Sequence, residues 1–91
     1  MYGAIVHVTN KLGLHARPAS DFAMKAKEFS SSIVIRNLDL EQPADISAKS
    51  MLKIMAARIK MGTRLEIVAE GNDEKRAVDT LTALLASGFG E

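Results

Sequence analysis

The spacing of hydrophobic positions along this chain changes several times, and each change marks an element. From Tyr2 to Thr9, Ala4, Val6 and Val8 alternate with Ile5, His7 and Thr9, the period-two pattern of a strand with one buried face. His7 falls on the outward side. Lys11-Leu12-Gly13-Leu14-His15 then reads as a loop in which Gly13 supplies backbone freedom, and Pro18 suits the first turn of a helix. Beyond it Ala19, Phe22, Ala23, Ala26 and Phe29 form one helical stripe, while Lys25, Lys27 and Glu28 face the other way. His15 therefore stands just before an amphipathic helix.

Ser30-Ser31-Ser32 ends that helix, and the β-branched run Ile33-Val34-Ile35-Arg36 is a second strand. Turn formers bracket Asn37 to Pro43, and Ala44-Asp45-Ile46 is read as a short third strand, with Pro43 placing it at an edge or a strand start. Ser47 or Ser50 can cap a helix that holds Met51, Leu52, Ile54 and Met55, runs toward Arg58 and stops by Gly62. Its apolar residues exceed one stripe. Either one side packs inward and Met51 or Leu52 is left for a partner, or the helix is buried on several sides. Leu65, Ile67 and Ala69 alternate with Arg64, Glu66 and Val68 in a fourth strand ending at Gly71. In the last helix Asn72 serves as N-cap, Asp73 and Glu74 suit the positive end of the dipole, and Ala77, Val78, Leu81, Leu84 and Leu85 form the buried stripe up to Gly88. The order strand, helix, strand, strand, helix, strand, helix predicts an α+β fold: one sheet with helices on one face.

Composition narrows the function classes. Ninety-one residues, 47% hydrophobic and 25% charged, make one ordinary globular domain spanning 1–91, with neither internal repeat nor linker. There is no cysteine, so disulfides and thiolate metal sites are excluded, and neither histidine has metal partners at ligand spacing. No cofactor is implied. Without a signal-like start or a long apolar run, a cytoplasmic location without membrane insertion is expected. Twelve basic against eleven acidic residues leave a net charge of +1, and with few strand aromatics nucleic-acid binding is discounted.

The chemistry concentrates at His15. A histidine before a helix start has a nucleophilic ring nitrogen near physiological pH, next to unpaired backbone N–H groups that hold phosphate oxygens. Arg17 can fork onto those oxygens, and Pro18 stiffens the turn between them. Lys25, Lys27, Lys49, Lys53 and Arg17 form a candidate basic rim. His7, on a strand with no surrounding motif, is a surface residue.

Gly13-Leu14-His15-Ala16-Arg17-Pro18-Ala19 resembles the active-site signature of HPr proteins. The likeness extends to Ala48-Lys49-Ser50-Met51-Leu52-Lys53-Ile54-Met55, similar to the segment that opens the family's second helix, and to Ala69-Glu70-Gly71 before the third. The resemblance implies an open-faced β-sandwich, four antiparallel strands under three helices. It also implies a monomeric phosphocarrier, not an enzyme in its own right, that accepts a phosphoryl group from phosphoenolpyruvate through Enzyme I and passes it to Enzyme IIA domains for sugar uptake. His15 matches the family's phosphorylated histidine and Arg17 the residue that aids transfer, with Ala16 and Pro18 at the helix start. Partners would dock on Met51, Leu52, Lys53 and Met55. Ser50 matches the serine that HPr kinase/phosphorylase modifies in many Gram-positive relatives, whereas Lys53 resembles enteric-type HPr. Thr9-Asn10-Lys11-Leu12-Gly13 is similar to the nitrogen-related paralogue, and the turn from Asp39 to Pro43 is a few residues long for the family. A regulatory paralogue acting as a phosphorylation-dependent binding module is the alternative.

Overall fold

The computed structural model describes residues 1–90 and holds the expected element order. Strand β1 (Tyr2–His7) leads to helix α1 (Ala16–Ala26), strand β2 (Ser32–Asn37), a two-residue strand β3 (Ile46–Ser47), helix α2 (Met51–Ala56), strand β4 (Arg64–Glu70) and helix α3 (Glu74–Ala86), with a final 3₁₀ turn at Gly88–Gly90. The four strands form one antiparallel sheet in the order β1-β4-β2-β3. β4 is central, so its inward Leu65, Ile67 and Ala69 are buried between Val6 of β1 and Ile33 and Ile35 of β2. The three helices cover this face with Phe22, Ala26, Ile54, Val78, Leu81 and Leu85, all of them fully buried. The opposite face is open: Ile5 is 54% exposed, and Arg36 ties the sheet laterally by pairing with Glu66 on β4 and Asp45 beside β3.

Three sequence expectations are corrected. The third strand is Ile46–Ser47 rather than Ala44–Ile46, because Val34 and Ile35 of β2 pair with Ser47 and Ile46, while Ala44 and Asp45 stay outside the ladder. Helix α1 ends at Ala26 rather than at Ser30, while α2 ends at Ala56, within the expected stop by Gly62, and Arg58 just beyond it turns left-handed at φ 51°. Of the two serines offered as its cap, Ser50 is the one used: its Oγ accepts the Lys53 N–H at 3.2 Å. The N-cap of α3 is Asp73, not Asn72.

Asp73 does not cap with its side chain. Its carboxylate reaches back to the chain before β2, accepting the Ser31 hydroxyl at 2.5 Å and the Ser30 and Ser31 N–H groups at 2.9 and 3.0 Å. Gly71 makes this approach possible, since a Cβ there would lie 2.8 Å from the Ser31 Cα. These bonds, chiefly that from the Ser31 hydroxyl, hold the Asp73 carboxyl down at about 2 from its ordinary 3.8. A depressed folded-state value means that the ionised group stabilises the fold above about pH 3.8, and that this contribution is lost as pH falls through about 2. Asp73→Asn should therefore lower the Tm at neutral pH and flatten the decline in stability between those two pH values. Thermal unfolding followed by circular dichroism across a pH series checks this; an unchanged acid slope in the variant would contradict the latch.

Candidate functional site

His15 is the N-cap of α1. Its backbone is extended at φ −73° and ψ −171°, its carbonyl accepts the Ala19 N–H at 2.9 Å, and its ring makes no cap hydrogen bond to the helix. The N–H groups of Ala16 and Arg17 therefore occupy the first helical positions, where no intrahelical carbonyl can meet them and where the helix dipole favours an anion. Pro18, the third residue, has no N–H to strand there. Pro18 and Ala19 turn into the core, which leaves Ala16 and Arg17 exposed and His15 half-buried at the helix mouth.

The loop before His15 is anchored at both ends. Gly13 sits at φ 67° and its N–H donates to the Asn10 carbonyl at 2.9 Å, while the Leu14 N–H donates to the Ile59 carbonyl, also at 2.9 Å. Only glycine fits: a Cβ at Gly13 would run into the Ile59 carbonyl and lie 2.9 Å from the Lys60 Cα. On the other side, the buried Asn10 donates from Nδ2 to the Gly88 carbonyl at 2.9 Å, and the Thr9 hydroxyl donates to the Leu85 carbonyl at 3.4 Å. The His15 loop is thus fastened both to the segment after α2 and to the end of α3.

A depression of about 330 Å³ opens beside His15, with the buried Leu14 and Ile59 beneath it and Leu12, Met55, Arg58 and Lys60 around it. A second hollow of about 860 Å³ reaches His15 from between the Thr9–Leu12 loop and the Ser87–Gly88 turn. Three of the rim residues, Leu12, Arg58 and Lys60, carry no signal in the sequence pattern. Arg58 and Lys60 are brought to His15 by the bond between Leu14 and Ile59, and Leu12 by the loop itself.

The helix α2 residues divide by facing. Ile54 is fully buried and Met51 is half-buried against the core, whereas Leu52 is 78% exposed, Met55 is at 36%, and Lys53 is exposed. With Leu12 at 77%, the exposed apolar surface near His15 consists of Leu12, Leu52 and Met55, and Met51 contributes more to packing than to that surface. The basic rim also loses members. Lys49 donates from Nζ to the Phe29 carbonyl at 2.8 Å and so holds the chain between α1 and β2, and Lys25 pairs with Glu28 at 3.2 Å. Lys53, Lys27 and Arg17 remain exposed. Among the described residues, no group of three metal-ligating side chains comes together.

Residues 4–87 match the family pattern described as the PTS HPr component phosphorylation site. The chain belongs to the HPr family. It is 40% identical over 85 residues to the phosphocarrier protein HPr of Haemophilus influenzae, covering 93% of this chain and 95% of that one. It is also 42% identical over 92 residues to the multiphosphoryl transfer protein of the same organism, of which it spans only 18% while 98% of this chain is covered. The phosphocarrier protein NPr of Proteus mirabilis is 35% identical over 94% of this chain and 92% of its own length. Among solved structures, HPr-C-His from Thermoanaerobacter tengcongensis superposes with a TM-score of 0.90 at 37% identity, covering 100% of this chain and 98% of that one. The open-faced α+β architecture is thus the HPr fold. Within that family the proteins are phosphocarriers of the phosphotransferase system.

The anchoring of the loop gives a direct test. Gly13→Ala combines a left-handed penalty with a backbone clash and should cost roughly 2–4 kcal/mol in urea unfolding. Gly62→Ala, at φ 87° with nothing within 4 Å of the added Cβ, should cost only about 1–2 kcal/mol.

Proposed function

We propose that this chain is a single HPr domain that carries a phosphoryl group on His15, taking it from phosphorylated Enzyme I and passing it to Enzyme IIA domains. The observation behind this reading is the placement of His15 as the N-cap of α1 with a ring that does not cap the helix, beside the first-turn N–H groups of Ala16 and Arg17. In the transfer, the lone pair of a ring nitrogen forms an N–P bond as the donor's bond to phosphorus breaks and its electron pair leaves with the donor. The reverse exchange delivers the group to the acceptor. The chain is returned unchanged, so it acts as a carrier and is itself the substrate of its partners.

Magnitudes rank the contributors. A helix N-terminus is worth about 0.3–1 kcal/mol to an anion, whereas a charge-assisted hydrogen bond from a guanidinium is worth about 1.5–3 kcal/mol. Arg17, exposed on the first turn, is therefore the larger single stabiliser of the phosphoryl oxygens. Docking is assigned to Leu12, Leu52 and Met55, with Lys53 and Lys27 supplying attraction to acidic partners. A cytoplasmic site of action fits partners that supply and consume soluble phosphoryl groups. Among the described residues no helix is long and apolar enough to cross a membrane. A monomer presents the site fully, although one neighbour is described as an HPr dimer from Thermoanaerobacter tengcongensis, with a TM-score of 0.74.

A regulatory reading is supported by the similarity to NPr along nearly the whole chain. In it, Ser50 is a target for HPr kinase/phosphorylase. Because the Ser50 hydroxyl caps α2, its phosphorylation would place a dianion beside the docking surface and weaken the hold of Enzyme I.

Incubation with phosphoenolpyruvate and Enzyme I should add an acid-labile phosphate to the protein and none to His15→Ala. Arg17→Ala should slow the transfer about 10- to 150-fold, the rate equivalent of the lost hydrogen bond. Equal labelling of His15→Ala would refute the assignment. For Ser50, ATP with HPr kinase should give an acid-stable phosphate that Ser50→Ala lacks, read by intact mass.

A further inference from the structure

We propose that Arg58 supplies a second guanidinium to the phosphoryl group on His15, aimed at it from the end of α2 by a left-handed backbone turn. The inference rests on the reading of His15 as the phosphoryl acceptor and adds a residue to that site. Arg58 and His15 are brought together by the backbone itself. Leu14 and Ile59 are joined by a 2.9 Å hydrogen bond, His15 follows the first and Arg58 precedes the second, and both residues line the same 330 Å³ depression.

The backbone at Arg58 is costly for the residue it carries. At φ 51° a Cβ is crowded, and glycine or asparagine would end α2 with less strain. The fold gains nothing visible in return: the side chain is exposed, and no carboxylate among the described residues pairs with its guanidinium. Strain held in place by surrounding structure, at the edge of a site, marks a residue kept for what its side chain does there.

The charge requirement supplies that role. A phosphoryl group carries about −1.5 to −2 charges near neutral pH, more than Arg17 alone can balance. Arg17 stands on the first turn of α1 and Arg58 just past the end of α2, so two planar forks can share the phosphoryl oxygens while Lys60 adds charge from the rim it shares with Arg58. Arg58 takes and gives no proton. It lowers the energy of the charged group as the N–P bond forms on His15 and breaks on the donor.

The test compares the parent protein with Arg58→Gly and Arg58→Lys. Glycine removes the strain along with the charge, so Arg58→Gly should raise the Tm by a few degrees and cannot lose function by unfolding. It should nonetheless weaken the binding of inorganic phosphate about tenfold, read from the Ala16 and Arg17 amide signals in NMR titrations. It should also slow labelling by phospho-Enzyme I about tenfold, with Arg58→Lys recovering part of both losses. Parent-like phosphate binding and labelling in Arg58→Gly would overturn the assignment of Arg58 alone. A parent protein that takes no label on His15 would overturn the His15 reading, and this inference with it.

Discussion

The hydrogen bond from the Leu14 N–H to the Ile59 carbonyl governs where everything at the site can be. Gly13 must be left-handed for the chain to make it, and only the absent Cβ lets residues 59 and 60 come so close. Once it is made, three separate elements share one edge: the mouth of α1, the end of α2 and the loop that follows β1. The backbone of His15 is fixed on both sides, as the last residue of the anchored loop and the cap of a helix whose Pro18 and Ala19 are locked into the core. The His15 ring is set at the helix mouth by the backbone on either side of it, and its role as N-cap keeps it half-buried rather than in the core.

The same edge shows how stability and reactivity are set against each other. The sheet and the stripes of α1 and α3 bury large apolar side chains completely, while the rim of the site exposes Leu12, Leu52 and Met55 and gathers cations around a half-buried histidine. Such a surface is unfavourable for an isolated molecule and suited to docking against another. Elsewhere Asp73 ties the start of α3 to the chain before β2, and Arg36 ties strand to strand, both with polar bonds.

The periodic elements were legible in the sequence because their cause is local. Phe22, Ala23 and Ala26, or Leu81 and Leu85, repeat at the pitch of a helix, and Leu65, Ile67 and Ala69 alternate as a strand must. His15 was legible because its neighbours Gly13, Arg17 and Pro18 each carry a backbone or charge signature. What escaped were features caused by residues distant in the chain. The β3 pairing depends on β2, Asp73 turns away from its own helix toward Ser31, Lys49 is drawn off by the Phe29 carbonyl, and Arg58 acquires meaning only when Ile59 meets Leu14. No spacing rule reaches across such gaps.

The central place of β4 has a consequence for how the molecule is born. β1 and β2 are its neighbours on either side, yet β4 is made last of the three. On the ribosome, the loop before His15 and α1 are made first and then wait roughly 2–9 s, the time needed to synthesise the next 44 residues, before the strand that unites the sheet is complete at Glu70. Through that interval the nascent chain holds two strand edges with no partner between them and an uncovered apolar face. Assembly of the edge that carries His15 therefore waits for a strand that lies far beyond it in the sequence.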